Sequence, residues 1–266
     1  MGFLSSLPPL GLAALGTTFT FLVTALGAAT VFLIKGDASP SIQRIFLGFA
    51  AGVMIAASVW SLLIPAIDLA AEQGGSGLLP AAGGFILGVL FLLGLDAVIP
   101  HLHPGSKTPE GPKTKLPGST LMVLAVTLHN IPEGMAVGLA CAMAASGVGT
   151  IPAAVALALG IGLQNFPEGA AVALPLKKDG FSNTKAFAYG ALSGLVEPIG
   201  GIVAVLIAGG IAPLMPWFLS FAAGAMMYVV IEELIPEAHL GEHSNSGTLG
   251  ALVGFLLMMV LDVALG

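Results

Sequence analysis

The hexapeptide HNIPEG at residues 129–134 recurs as QNFPEG at residues 164–169. Each copy lies inside a long apolar stretch, at 119–145 and 149–175, where charged side chains are costly if the stretch is in a membrane. Stretches of this length can cross the ~30 Å hydrocarbon layer, which takes about 20 helical residues. The repeated motif therefore predicts a polar site inside a membrane-embedded helical protein.

Composition extends this interpretation to the whole chain. Of the 266 residues, 56% are hydrophobic and 8% are charged, against roughly 25% charged in an ordinary soluble domain. We therefore expect an all-α integral membrane protein surrounded by lipid, with residues 1–266 forming one transmembrane domain. The first apolar run is too long for a cleaved signal and is read as a retained span. We expect no nucleic-acid partner, and the absence of a phosphate-binding loop argues against direct ATP drive.

Apolar runs separated by polar breaks predict eight transmembrane helices. Their approximate bounds are 8–34, 42–66, 78–100, 119–145, 149–175, 185–209, 214–236 and 247–265. The alternative count is seven, because the breaks at 147–150 and 209–216 are short. Glycine pairs four residues apart, such as Gly84/Gly88 and Gly134/Gly138, predict close helix packing in lipid.

The basic residues predict the orientation of the chain. With eight spans, all 8 lysines and arginines fall in the odd-numbered connections, including the loop 101–118. Basic loops stay in the cytoplasm, so both termini are expected outside. The plasma (inner) membrane is the expected location.

The repeats also predict an internal symmetry. The two hexapeptides lie on spans four and five, which run in opposite directions. The tetrapeptide FAAG at 49–52 recurs at 221–224, on spans two and seven, and each copy is followed by a Leu-Ile-Pro sequence. Matched segments of opposite direction predict an inverted repeat, organised as 3+2+3 helices. This organisation is typical of secondary transporters with a binding site near the midplane.

The motifs combine side chains that bind metal ions. On a helix, Glu133 shares one face with His129 and the adjacent face with Asn130, so its carboxylate can serve two ions. The mixture of imidazole, carboxylate and amide oxygens suits Zn²⁺ and its first-row neighbours. Pro132 and Pro167 each free a backbone carbonyl, which is tolerated at membrane depth only beside protein or a watery cavity. The candidate metal ligands are His129, Asn130, Glu133, Gln164, Asn165, Glu168 and, on span six, Glu197.

Other functions fit parts of the same pattern. The motifs can be structural kinks whose amides bond neighbouring helices, or the site of a membrane-embedded metal-dependent hydrolase that activates water. A metal sensor would bind ions without moving them. The inverted repeat favours a secondary transporter for divalent metal ions over an enzyme, with ion preference left open among zinc, cadmium, iron and manganese.

Charged residues outside the motifs fall into three groups. The first either lines an approach to the site or is solvated at helix ends: Asp96, Glu232 and Glu233. The second is expected near the outer face, in water: Asp68, Glu72 and Asp262. The third lies at cytoplasmic ends, where it either collects departing metal or does nothing specific: His101, His103, His239, Glu242 and His243.

The two hexapeptides, together with SGLVEP at 193–198 on span six, resemble the ZIP (Zrt/Irt-like) metal transporters, particularly their GufA-like branch. The resemblance covers nearly the whole chain. It implies a homodimeric carrier that moves zinc into the cytoplasm by sliding spans one, four, five and six against the rest. It also implies two ion sites bridged by the motif glutamates: His129, Glu133, Gln164 and Glu168 for one, and Asn130, Asn165 and Glu197 for the other.

Two departures from the family pattern bear on the site. Many members have an acidic residue where Asn165 stands, so three carboxylates would face two divalent ions, and the second site is expected to be weak or empty. Many also have a histidine on span two, where this chain has Met54, Ser58 and Ser61. The ligand from span two is therefore unassigned.

Overall fold

The computed structural model describes residues 2–34, 39–102, 111–209, 212–239 and 245–265, and the elements in these ranges are helices. We number the long helical segments α1 to α8 in chain order. Their bounds are α1 Pro9–Phe32, α2 Pro40–Glu72, α3 Leu78–Val98, α4 Gly118–Ala145, α5 Ile151–Lys178, α6 Asn183–Gly209, α7 Met215–Ala238 and α8 Ser246–Leu265. A single helical turn, Gly2–Ser5, precedes α1.

Seven of these helices, all except α5, are long and apolar enough to cross a membrane. The predicted class of a multi-pass helical membrane protein is therefore confirmed. Helix α5 has 28 residues, which corresponds to about 42 Å at 1.5 Å per residue. The polar residues of QNFPEG lower its mean hydropathy, so α5 meets the length requirement for a span but not the hydropathy requirement.

Helix α6 departs from the single predicted span at 185–209. It consists of two helices, Asn183–Ser193 and Val196–Gly209, joined at Gly194. Pro198 has no N–H to donate to the carbonyl four residues earlier, and the Gly194 carbonyl instead accepts from the Glu197 N–H at 3.0 Å. By contrast, α4 and α5 continue as α-helix through Pro132 and Pro167. The break therefore brings Glu197 into the first turn of a new helix.

Helices α2 and α7 share a widened turn at matching positions. Residues 58–63 and 230–234 form π-helix, and each segment is followed by an Ile-Pro pair. The Ile64 N–H bonds to the carbonyl of Val59, and the Ile235 N–H bonds to the carbonyl of Val230, five residues back in both cases. The proline that follows clashes with the carbonyl four residues before it, and a wider turn relieves that clash.

Close contacts through glycine organise the helices into two groups. A Cβ atom at any of the contact glycines would lie within 3 Å of the partner helix, so larger residues do not fit. These contacts join α2 to α8, α3 to α7, α4 to α6 and α1 to α5, through Gly48 and Gly254, Gly88 and Gly224, Gly134 and Gly138, and Gly27 and Gly169. The predicted role of the glycine pairs is confirmed. Helices α1, α4, α5 and α6 pack together, α2, α7 and α8 pack against this group, and α3 packs on α7 and α2.

Candidate metal centre

The HNIPEG and QNFPEG motifs meet inside the protein where α4 packs against α5. All seven predicted ligands are buried side chains. Relative exposure is 8% for His129 and Glu168 and zero for the other five. Helical spacing puts the residues of each motif on neighbouring faces, and the break in α6 places Glu197 beside them.

Side-chain amides connect the three helices. The Gln164 Nε2 atom on α5 donates to Glu133 Oε1 on α4 at 2.7 Å. The Asn165 Nδ2 atom donates to Glu197 Oε2 on α6 at 2.8 Å. The Asn130 Nδ2 atom donates to the backbone carbonyl of Ser193, just before the α6 break, at 3.0 Å. Each of the three amides therefore has its nitrogen fixed by an acceptor on another helix.

The oxygens of the same residues are left without donors. Among the described residues, five buried site oxygens have no hydrogen-bond partner: Asn130 Oδ1, Glu133 Oε2, Gln164 Oε1, Asn165 Oδ1 and Glu168 Oε2. A buried acceptor without a partner is costly, and a carboxylate oxygen more so. The cost is offset if a cation occupies the space between them. The oxygens are chemically suited to that role.

Three carboxylates give the site a concentration of negative charge. Glu133, Glu168 and Glu197 are close enough for their negative charges to repel one another. Nevertheless, no group of three His, Cys, Asp or Glu side chains in the described ranges is arranged to hold one metal ion. Ion binding in this conformation therefore needs the amide oxygens, and the proposed ligand set stays a prediction.

The side chain of His129 points to a partner outside the motifs. Its Nε2 atom contacts Glu233 Oε1 on α7. Glu233 is 3% exposed and belongs to the acids predicted either to line an approach to the site or to be solvated. The structure places it against a predicted ligand, and the contact links the α4 group of helices to the α7 group.

Comparison with known proteins identifies the family. A model described as ZIP zinc transporter matches residues 117–262. Zinc transporter ZIP11 of Homo sapiens is 38% identical over 96% of this chain and 97% of its own length. This chain belongs to the ZIP zinc transporter family. Within the family, it is 42% identical to zinc transporter ZIPB of Bordetella bronchiseptica, over 96% of this chain and 82% of that protein. It is 41% identical to zinc transporter GufA of Myxococcus xanthus, over 91% and 94%.

The comparisons confirm the resemblance read from the two hexapeptides. They also confirm the prediction that this ZIP chain is not an enzyme, because the related proteins are named as transporters. The hydrolase alternative is therefore set aside. Metal-ion transport is the activity that the family supports.

Two cavities lie on opposite sides of the site in this ZIP chain. One of about 510 Å³ is lined by Glu168, by Glu237 at the end of α7, and by residues from the end of α1 and the start of α2. The other, of about 390 Å³, is lined by the acids Asp68, Glu72 and Asp262, by the C-terminal end of α4 and by the N-terminal end of α5. The residues lining the two cavities do not overlap, and only the first cavity contains a predicted ligand.

The remaining predicted positions lie away from the centre. Asp96 accepts a hydrogen bond from the Tyr228 hydroxyl at 2.6 Å, and His101 Nε2 lies 3.9 Å from it. Asp68 and Glu72 are exposed as expected, but Asp262 is only 8% exposed, and it accepts a hydrogen bond from Ser61 on α2 at 2.6 Å. His103, Glu242 and His243 lie outside the described residues.

On α2, the unassigned ligand position stays open. Met54 and Ser58 are both completely buried, and the Ser58 hydroxyl oxygen has no hydrogen-bond partner in the described part of the chain. Sequence reasoning missed Thr24 on α1, which donates to Glu197 Oε1 at 2.9 Å. The available signal was the spacing of Thr17, Thr20 and Thr24, which places three hydroxyls along one side of an apolar helix.

Proposed function

We propose that this ZIP protein is a secondary transporter that carries zinc into the cytoplasm through a site formed by α4, α5 and α6. The observation that carries the proposal is the set of five buried oxygens without donors, drawn from both repeated motifs. For the three amides among them, the nitrogen is held by an acceptor on another helix, so the oxygen points away from that acceptor. Amide and carboxylate oxygens bind divalent cations, and the nearby imidazole of His129 favours zinc over harder ions.

The proposed membrane topology has eight spans, with α5 as the eighth. Helix α5 is long enough, and its lysines at 177 and 178 lie at the same end as Lys113 and Lys115 before α4. An eighth span keeps every basic residue on one side and both termini outside. The polar motif of α5 would be tolerated at membrane depth because it lines the site.

The proposed architecture is an inverted repeat of 3+2+3 helices. Two observations support it. The matching π-helix turns of α2 and α7 both precede an Ile-Pro pair. The contact of α2 with α8 has a counterpart in that of α7 with α3, and the contact of α1 with α5 has one in that of α6 with α4. Inverted repeats of this kind support alternating access around a central site.

The cavities support a direction and a conformation. The cavity that contains Glu168 opens at the end of the bundle where the basic residues lie, so the site faces the cytoplasm in this conformation. The acid-lined outer cavity stops short of the site. We infer that the group α1, α4, α5 and α6 slides against the other four helices to connect the site to one cavity and then the other. The homodimer and the choice among zinc, cadmium, iron and manganese stay predictions.

Zinc uptake by proteoliposomes tests the proposal. Glu133→Gln retains the shape of the side chain and the contact with Gln164, but removes a charged ligand. Uptake should fall by at least about 100-fold, because mutating even a residue that only supports a metal ligand lowers metal affinity by about 10–100-fold. Asp179→Asn is the matched control, since it removes an exposed carboxylate at the end of α5. Equal uptake by wild type and Glu133→Gln, in folded protein, would remove Glu133 from the mechanism.

A further inference from the structure

Glu197 differs from the other acidic residues of the site because both of its oxygens already accept hydrogen bonds. Oε1 accepts from the Thr24 hydroxyl at 2.9 Å, and Oε2 accepts from Asn165 Nδ2 at 2.8 Å. The side chain is completely buried. By contrast, Glu133 and Glu168 each keep an oxygen without a partner in the described residues. Neighbouring side chains therefore satisfy the hydrogen-bonding capacity of Glu197 and leave oxygens of Glu133 and Glu168 available to an ion.

Two threonines of α1, Thr20 and Thr24, lie beside the Glu197 carboxylate, and Thr24 makes the 2.9 Å contact with it. A buried helical threonine ordinarily donates to a carbonyl of the preceding turn, and the carbonyl of Thr20 lies 3.2 Å from the Thr24 hydroxyl. A hydroxyl has one proton to donate. Of the two acceptors, the Glu197 carboxylate is both closer and stronger than the Thr20 carbonyl, so the proton goes to Glu197. Thr17 shows the ordinary arrangement, with its hydroxyl 2.8 Å from the carbonyl of Ala13.

Glycine at 194 makes the contact sterically possible. A Cβ atom at that position would lie 2.9 Å from the Thr24 Cβ atom and 3.0 Å from Glu197 Oε1. The α6 break therefore does two things at once. It lets α1 approach α6 at Thr24, and it puts Glu197 in the first turn of a helix, where the exposed N–H groups stabilise a negative charge.

The consequence for the ion falls on Asn165. An amide group is planar, so fixing its nitrogen also fixes the direction of its oxygen. With Nδ2 bonded to Glu197, the Asn165 Oδ1 atom is buried and has no donor in the described residues. Asn130 is held in the same way by the carbonyl of Ser193, on the other side of the α6 break. Helix α6 holds the nitrogens of both asparagines and leaves their oxygens available.

We propose that Thr24 is a positioning residue for the ion site: it holds Glu197 on Asn165, and Glu197 in turn directs the Asn165 oxygen toward the ion. In this role Glu197 acts through Asn165 and does not bind the ion itself. The inference rests on the proposed transport function. It assigns a task to α1, from which none of the predicted ligands comes.

Thr24→Val tests the assignment, because valine has nearly the shape of threonine and lacks the hydroxyl. The equilibrium dissociation constant for zinc of the purified full chain in detergent, and the KM for uptake, should both rise about tenfold, as expected for a residue behind a metal ligand. Thr24→Ser, which keeps the hydroxyl, should restore both values. Thr17→Val is the control, since it removes an equally buried hydroxyl that bonds only within α1, and it should leave zinc affinity unchanged.

A double-mutant cycle separates positioning from a general loss of stability. If Thr24 acts through Asn165, Thr24→Val should weaken zinc binding in the wild type but not in an Asn165→Ala background. An equal loss in both backgrounds would overturn the proposal, as would unchanged affinity in Thr24→Val or an equally defective Thr24→Ser. Wild-type protein that binds and moves no zinc would instead refute the proposed function, so the two failures are distinct.

Discussion

Replacing Asn165 with aspartate changes the balance between charge and ions at the centre of the site. The Asn165 amide now donates to Glu197 at 2.8 Å. In Asn165→Asp, that hydrogen bond is lost and two carboxylates face each other at the same place. Two unit charges about 4 Å apart repel by roughly 4 kcal/mol at the effective dielectric constant of about 20 that describes protein sites. Relaxation and proton uptake reduce this value, but the apo protein should still be destabilised.

A divalent ion between the two carboxylates reverses the effect. The ion gains one more anionic ligand, and the repulsion that destabilised the apo protein becomes attraction to the ion. If half of the repulsion is recovered, affinity for a second zinc ion should rise by about 2 kcal/mol, or roughly 30-fold, since 1.4 kcal/mol is a factor of ten. Binding at the first ion should change only modestly, because aspartate keeps an oxygen at position 165 and Gln164 and Glu133 are not altered.

Calorimetric titration and thermal unfolding measure both sides of this prediction. The bound zinc per protein should move from one toward two, and the melting temperature should fall without zinc and rise more steeply with it. Asn183→Asp adds the same charge at the start of α6, away from the site, and controls for net charge. A folded Asn165→Asp protein with an unchanged or lower zinc count would refute the charge argument.

Two further predictions test the topology and the packing. Cysteine at Lys113 should react with an impermeant thiol reagent only from the cytoplasmic side, and cysteine at Ser76 only from the outside, both in a Cys141→Ala background; labelling of both from one side would contradict the eight-span topology. Gly134→Ala should lower stability by about 1–3 kcal/mol, because its Cβ would collide with the Glu197 backbone. Gly94→Ala, where no atom lies within 4 Å of the new Cβ, should not; equal melting temperatures would show that the α4–α6 contact can relax.

The local parts of this fold and site were readable from sequence. Helical spacing correctly placed the polar side chains of both motifs in the interior, and the glycine pairs correctly marked close helix contacts. These features depend on residues within one or two helical turns of each other, so the pattern contains the information. The same holds for the class of membrane protein, which follows from composition.

The long-range parts were not readable from sequence. Thr24 and Glu197 are 173 residues apart in the chain, and the sequence around either residue does not predict their contact. The contact of His129 with Glu233 likewise depends on how α7 packs against α4. The break in α6 was also missed. Glycine and proline are common inside membrane helices, so Gly194 and Pro198 do not by themselves predict that a helix ends, which also requires partners for the freed backbone N–H and C=O groups.

The hydrogen-bonding pattern also bears on how many ions the wild-type site carries. Moving net charge through a low-dielectric layer is costly, so a carrier gains from a site whose loaded form is close to neutral. The Glu197 carboxylate is already stabilised by hydrogen bonds from Thr24 and Asn165 and by the start of a helix, without the help of an ion. Only Glu133 and Glu168 then remain to balance an ion, and two negative charges balance one Zn²⁺. The neutral Asn165 therefore favours a one-ion site, in which Glu197 serves to aim an amide oxygen.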